Sequence, residues 1–145
     1  MGMKLPLTVE ALASEADFVL KRPQTPQPPF AYKTEEVKVP VAGAELACTL
    51  SLPEGTGPHP AMVFFSGSGA QDRDETIFEH KPFLVLSDAL VKAGIATLRC
   101  DDRGVGGSTG TMQGADLAIF AADGKAEVDF LAARADIDKA HIGAL

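Results

Sequence analysis

Ser66-Gly67-Ser68-Gly69 follows directly on the apolar run Ala61-Met62-Val63-Phe64-Phe65. A buried strand that breaks into a turn of small residues frees its N–H groups from the ladder, and glycine lets that backbone approach a ligand closely. Such a turn suits an oxyanion hole, whose preorganised donors sit about 2.7–3.1 Å from the developing negative charge. An ordinary strand-to-helix loop has the same composition, so on composition alone both readings stand. Next comes Gln71-Asp72-Arg73-Asp74-Glu75, three carboxylates around one arginine. A calcium loop would need spaced oxygen ligands and a central glycine, which are missing. Pairing of Arg73 with one acidic neighbour, pinning the loop, is favoured over a metal site, and no metal is expected.

A third stretch, Asp101-Asp102-Arg103-Gly104-Val105-Gly106-Gly107-Ser108-Thr109-Gly110, contains a literal G-x-S-x-G at Gly106–Gly110. That pattern carries a nucleophilic serine only where the serine sits on the first tight turn between a strand and a helix. Here the preceding strand ends near Arg99, nine residues before Ser108, and more glycine and threonine follow. Ser108 is therefore read as a decoy. The spacing G-x-G-x-x-G also fails, since position 109 is threonine, so no dinucleotide cofactor is expected, and no other cofactor is suggested. His59, His80 and His141 have no obvious serine or carboxylate partner in sequence and read as surface or helix-end residues.

The elements that must position these loops follow from periodicity. Glu35–Val39 and Glu45–Leu52 alternate, with Leu46, Cys48, Leu50 and Leu52 on one side, and Pro40–Gly43 between them predicts an antiparallel pair. Ala61–Phe65 reads as a central strand covered on both faces. Lys81–Ala93 reads as a helix with Pro82 in its first turn, Phe83, Leu86, Leu90 and Ala93 on its apolar stripe and Gly94 as its stop. Ile95–Arg99 is a buried strand. Asp116–Arg134 predicts a longer helix with Ile119, Ala122, Ala126, Phe130 and Ala133 inside and Asp123, Glu127 and Arg134 outside. Gly124 within it costs about 1 kcal/mol relative to alanine. A last strand begins near His141. Residues 1–31 read as a linker: Thr8–Leu20 is a weak helix or strand signal, and the prolines of Arg22–Phe30 predict extended or polyproline-like chain.

Composition narrows the class. At 145 residues with 46% hydrophobic content, the chain supports one globular domain. A net charge of −7 argues against nucleic acid and anionic membrane as partners and is compatible with a neutral or cationic small ligand. No apolar run approaches the ~20 residues of a membrane span. The N-terminus lacks the apolar core of a signal peptide, which leaves the compartment open between cytoplasm and export. Cys48 and Cys100 form no C-x-x-C and read as small buried hydrophobes on two strands, not as a disulfide framework.

Taken together, these segments resemble bacterial α/β-hydrolase fold serine esterases, over Arg22 to Leu145. Arg22–Phe30 looks like the proline-rich entry of that group. Ser66–Glu75 is similar to its oxyanion-loop signature, Lys81-Pro82-Phe83 to the start of its first helix, and Asp101–Ser108 to the loop after the next strand. The resemblance implies an α/β fold: a partial hydrolase sheet with an antiparallel entry hairpin, then parallel strands with flanking helices. It would stop before the nucleophile elbow, because in the family the strand matching Ile142-Gly143-Ala144-Leu145 leads into Gly-His-Ser-x-Gly-Gly. Residues 32–145 would then be the N-terminal half of a hydrolase domain, and Met3–Leu20 a remnant of a small preceding domain.

By the same resemblance, backbone N–H groups near Ser68 and Gly69 would stabilise the oxyanion, with Asp72, Arg73, Asp102 and Arg103 supporting the loops. None of the catalytic triad would lie in this chain, which alone would be inactive. The intact enzyme would take a small ester as substrate. The last strand would leave an open edge, to be covered by the complementary hydrolase half or by a second copy. The alternative is a non-catalytic interaction or assembly module on a hydrolase-like scaffold.

Overall fold

The two alternating segments form a hairpin, β1 (Lys33–Val41) and β2 (Ala44–Leu52), joined by a turn of only Ala42 and Gly43. The computed structural model describes residues 22–145. After the hairpin come β3 (His59–Phe64), α1 (Pro82–Lys92), β4 (Ala96–Cys100), α2 (Leu117–Ala132) and β5 (Ile137–Ala144). One five-stranded sheet results, in the order β1-β2-β4-β3-β5. β2 pairs antiparallel with both β1 and β4, whereas β3 pairs parallel with β4 and β5. The strand feeding the Ser66–Gly69 turn is thus interior, and the outer side of β5 is an edge.

Period two divides the sheet into unlike faces. Leu46, Cys48, Leu50, Val63, Ala96 and Leu98 share one face and are buried with Leu131 of α2. The opposite face carries Ser51, Thr97 and Arg99, all buried, and α1 covers it along β4 and β2. The α2 side is a hydrophobic core in the usual sense. The α1 side mixes those polar groups with Phe64, whose ring meets Phe83 of α1 at 5.1 Å.

Buried polar partners rotate both helices relative to the apolar stripes read from sequence. In α1 the fully buried positions are Ser87 and Val91, while Leu86 is 44% exposed. Ser87 turns inward because its hydroxyl meets that of Thr97 on β4 at 2.6 Å, satisfying two groups that burial would otherwise leave without water. In α2 the buried positions are Asp123, Glu127 and Leu131, so the expectation that Asp123 and Glu127 face outward is wrong, and Ala122 and Ala133 are exposed. Asp123 is drawn in by Arg103, at 2.6 and 2.8 Å. Asp116 caps α2 by accepting from the Ile119 N–H at 3.0 Å.

Three further expectations change. β5 begins at Ile137, not near His141; its register against β3 shifts between His59 and Ala61, and Asp138 folds back on the Ala140 N–H within the irregular stretch. Arg22–Phe30 turns rather than runs extended, with the Thr25 N–H donating to the Arg22 carbonyl. The Thr8–Leu20 signal lies outside the described residues.

Cys48 and Cys100 are not free thiols but a disulfide. The antiparallel register sets them directly opposite, with Cα atoms 4.0 Å apart. The neighbouring Asp101 N–H donates to Ala47, which makes Cys48–Cys100 a non-hydrogen-bonded pair, the kind whose side chains lie closest. Separation of 52 residues hid this pairing. Closing a loop of that length removes denatured-chain entropy worth about 4 kcal/mol in the chain-entropy account. Reduction, or the double variant Cys48→Ala/Cys100→Ala, is expected to lower the unfolding free energy in guanidinium by about 2–4 kcal/mol. Thiol titration should find no reactive thiol before reduction and two after it; two titrating in the untreated protein would contradict the bond.

Candidate active site

β3 reaches its carboxyl end between β4 and β5, and the Phe65 N–H still pairs with the Leu145 carbonyl at 2.8 Å before the chain leaves the sheet. The Ser66–Gly69 turn is then held from two sides. Ser66 Oγ donates to Asp102 Oδ1 at 2.7 Å, and the Gln71 N–H donates to Asp102 Oδ2 at 2.9 Å. The Gly67 N–H donates to Glu75 Oε1 at 3.2 Å, and the Gln71 side-chain amide donates to the Ser68 carbonyl at 3.2 Å. Among the described residues, neither the Ser68 nor the Gly69 N–H meets an acceptor, and both residues are exposed. Gly69 sits at φ +102°, a conformation that side-chain-bearing residues rarely adopt.

The loop after β4 anchors this arrangement. Asp101 accepts from the Arg73 N–H and Nε through Oδ1, and from Arg73 Nη2 and the Gly107 N–H through Oδ2, all at 2.8–3.0 Å. Burial pushes the Asp101 carboxyl up, but the hydrogen bonds from Arg73 and Gly107 outweigh it and hold the group below its ordinary value. Arg73 also donates through Nη1 to Glu36 and Thr49. Its principal carboxylate is therefore Asp101, 28 residues away, and not an acidic neighbour in sequence. Asp72 turns its carboxylate onto the Asp74 and Thr76 N–H groups at 3.0 Å each. Arg103 lies apart from the turn and ties the loop to α2 through Asp123.

Ser108 is fully engaged: its hydroxyl donates to the Asp101 carbonyl and accepts from the Ala47 N–H, each at 2.8 Å. Among the described residues no histidine bonds a serine hydroxyl; His141 meets Asp138 and His80 meets Gln24. Among the same residues no group of three or more histidine, cysteine, aspartate and glutamate side chains is arranged to hold a metal ion. Among the described residues no helix is long and apolar enough to cross a membrane.

The turn rims a cavity of about 810 Å³ between the sheet end and α2. Its walls are mostly apolar, with Phe65, Met112, Phe120 and Val128 among them. Gly124 has a reason here: a Cβ at that position would lie 3.0 Å from the Phe65 ring, so the helix gives up a side chain where the ring packs. The polar members of the wall that sequence reasoning missed are Asp123 and Glu127, one helical turn apart. Glu127 is 7% exposed, and its Oε2 has no hydrogen-bond partner. Burial first, then the charges of Asp123 and Asp102, push its carboxyl up to about 8. Spacing of 123 and 127 around a mid-helix glycine was the available signal, but it also suits a solvated face.

Comparison with known proteins adds the family context. No family model matches the chain. GrgF, an α/β hydrolase from Penicillium, superposes with a TM-score of 0.62 at 19% identity, over 77% of this chain and 36% of GrgF. Est1E from Butyrivibrio proteoclasticus, solved with ferulic acid bound, gives 0.58 at 20% identity, over 74% of this chain and 41% of Est1E. The chain has the α/β-hydrolase fold. Within that fold it is similar to the bacterial esterase EstD of Thermotoga maritima, at 41% identity over 69 residues, which is 48% of this chain and 16% of EstD. The chain therefore spans well under half the length of each of these relatives.

Glu127 makes stability depend on pH in a definite sense. A carboxyl raised from 4.5 to about 8 on folding binds more protons in the native state across that interval. Its stabilising contribution is complete below pH 4.5 and is lost as pH rises through 8. The variant Glu127→Gln should gain on the wild type by on the order of a few kcal/mol between pH 5 and 8, and no further above that. Denaturation midpoints of both proteins, taken across this range, read the difference directly; a constant gap would contradict the assignment.

Proposed function

We propose that these residues form the N-terminal part of a serine hydrolase that cleaves carboxylic esters, supplying the scaffold and one side of the oxyanion hole. The observation that carries this reading is the Ser66–Gly69 turn, clamped at both ends yet leaving the Ser68 and Gly69 N–H groups free at the mouth of a largely apolar cavity. Similarity to EstD supports it. The nucleophilic serine, its histidine base and the orienting acid come from polypeptide outside residues 1–145. As that serine attacks the ester carbonyl, the oxygen becomes negative, and an N–H of Ser68 or Gly69 donates to it. The second donor is the N–H after the nucleophile. The histidine takes the serine proton and gives it to the alcohol as the adduct collapses and the ester C–O bond breaks. Water, deprotonated by the same histidine, then attacks the acyl-serine and releases the carboxylic acid and the free serine.

The isolated chain is expected to hydrolyse p-nitrophenyl acetate no faster than background, and to hydrolyse it once assembled with a complementary hydrolase half that carries the triad. In that active form, Asp102→Ala frees Ser66 and the Gln71 N–H, and kcat should fall roughly 100-fold with KM little changed, the effect of misplacing a group by about 1 Å. Ser108-dependent turnover by the isolated chain would overturn the reading. A complex that assembles with its complement but never hydrolyses an ester would favour the non-catalytic module.

The outer edge of β5 belongs to the same proposal. Unpaired strand edges recruit partners. The polypeptide that supplies the triad covers this edge, and a second copy does so when that polypeptide is absent. Light scattering should then give the isolated chain a mass above its 15.2 kDa. A clean monomer over a range of concentrations would count against it.

A further inference from the structure

Glu127 has no role in the steps just described, and burying an unpaired carboxyl is costly. Its residue is more than nine-tenths buried, it forms part of the cavity wall, and no described residue donates a hydrogen bond to it. The other charges in that wall are not neutral in sum near it. Arg103 is spent on Asp123 through a two-point pair, while Asp102 receives only the neutral donors Ser66 and Gln71. Lys125, the other cation in the wall, pairs with Asp129. The cavity floor is thus a pocket of uncompensated negative potential inside apolar walls, the setting in which a bound cation gains most. An anionic ligand would be repelled by Asp102, and a neutral one would gain only an ordinary hydrogen bond from Glu127, whereas a cation is attracted by both carboxylates.

We propose that Glu127, with Asp102 and Asp123 around it, is a recognition point for a primary ammonium group, so that the esters taken by this cavity carry a basic amine. The inference rests on reading the cavity as the substrate pocket. Glu127 enters the complex as its carboxylate: the neutral acid gives its proton to the buffer, and the carboxylate accepts hydrogen bonds from the ammonium. Ser68 and Gly69 line the same cavity as Glu127.

Binding needs no turnover, so the chain as it stands can be tested. Phenethylammonium, 2-phenylethanol and 3-phenylpropionate share a ring and differ in charge, and their affinities at pH 7 can be measured by calorimetry. The ammonium should bind at least tenfold more tightly than the alcohol, and the carboxylate least. Titrations in two buffers of different ionisation heat should show proton release on ammonium binding. Glu127→Gln should erase the tenfold preference, and Glu127→Asp should keep part of it. Equal affinity for ammonium and alcohol, a preference that survives Glu127→Gln, or wild-type binding without proton release would each overturn the inference. If Glu127→Gln does not fold, the proton-release measurement on the wild type decides alone. A failed amine preference leaves the ester-hydrolysis reading standing, whereas an inactive reassembled enzyme with the preference intact removes that reading and keeps this one.

Discussion

Asp101 and Asp102 leave the end of β4 as neighbours and hold different loops. Asp101 takes four donors from Arg73 and Gly107, and Asp102 takes Ser66 and the Gln71 N–H. Loops at the end of a sheet have lost their ladder partners, and each buried N–H needs a replacement. Two adjacent carboxylates supply it for the Gln71 and Arg73 N–H groups, and Glu75 supplies it for Gly67. The turn is thereby fixed, and among the described residues the Ser68 and Gly69 amides are left without an acceptor.

The same rule governs the helices. α1 is oriented by Ser87 against Thr97, and α2 by Asp123 against Arg103. Arg99, 4% exposed, is paired with Asp74 at the edge of the α1 face, and burial lowers its pKa despite that carboxylate. Removing one partner of a buried ion pair leaves an uncompensated charge, at a cost of about 3–5 kcal/mol. Helix placement therefore depends on polar complementarity as much as on apolar area. Gly124 and Phe65 add a steric term, since the ring occupies the space a side chain at 124 would need.

The strands were legible because β1 and β2 alternate in sequence while β3 and β4 are short apolar runs, as befits interior strands covered on both faces. The extent of α1 was legible from Pro82 and Gly94, and that of α2 from its apolar spacing. Which helix face turned inward was not, because hydrophobic stripes say nothing of a serine or aspartate that has a partner on another element. Thr97 and Arg103 could not be assigned as those partners without the register. The Cys48–Cys100 pair was hidden for the same reason: only the β2–β4 alignment sets them opposite. At the site, the Ser-Gly-Ser-Gly turn stood out by composition. Glu75 and Glu127 did not, since a carboxylate in a charged run and one on a helix both look solvated until their surroundings are known.

The disulfide between β2 and β4 encloses β3, the turn, all of α1 and the exposed loop at Ile77 and Phe78. A protease that cut the backbone at that loop would not separate the pieces. The two segments would stay covalently joined through sulfur, and β3 and β4, now on different fragments, would remain paired side by side. Such a nicked molecule would travel as one species until a reductant reached a rung whose two sulfurs belong to residues at most 8% exposed.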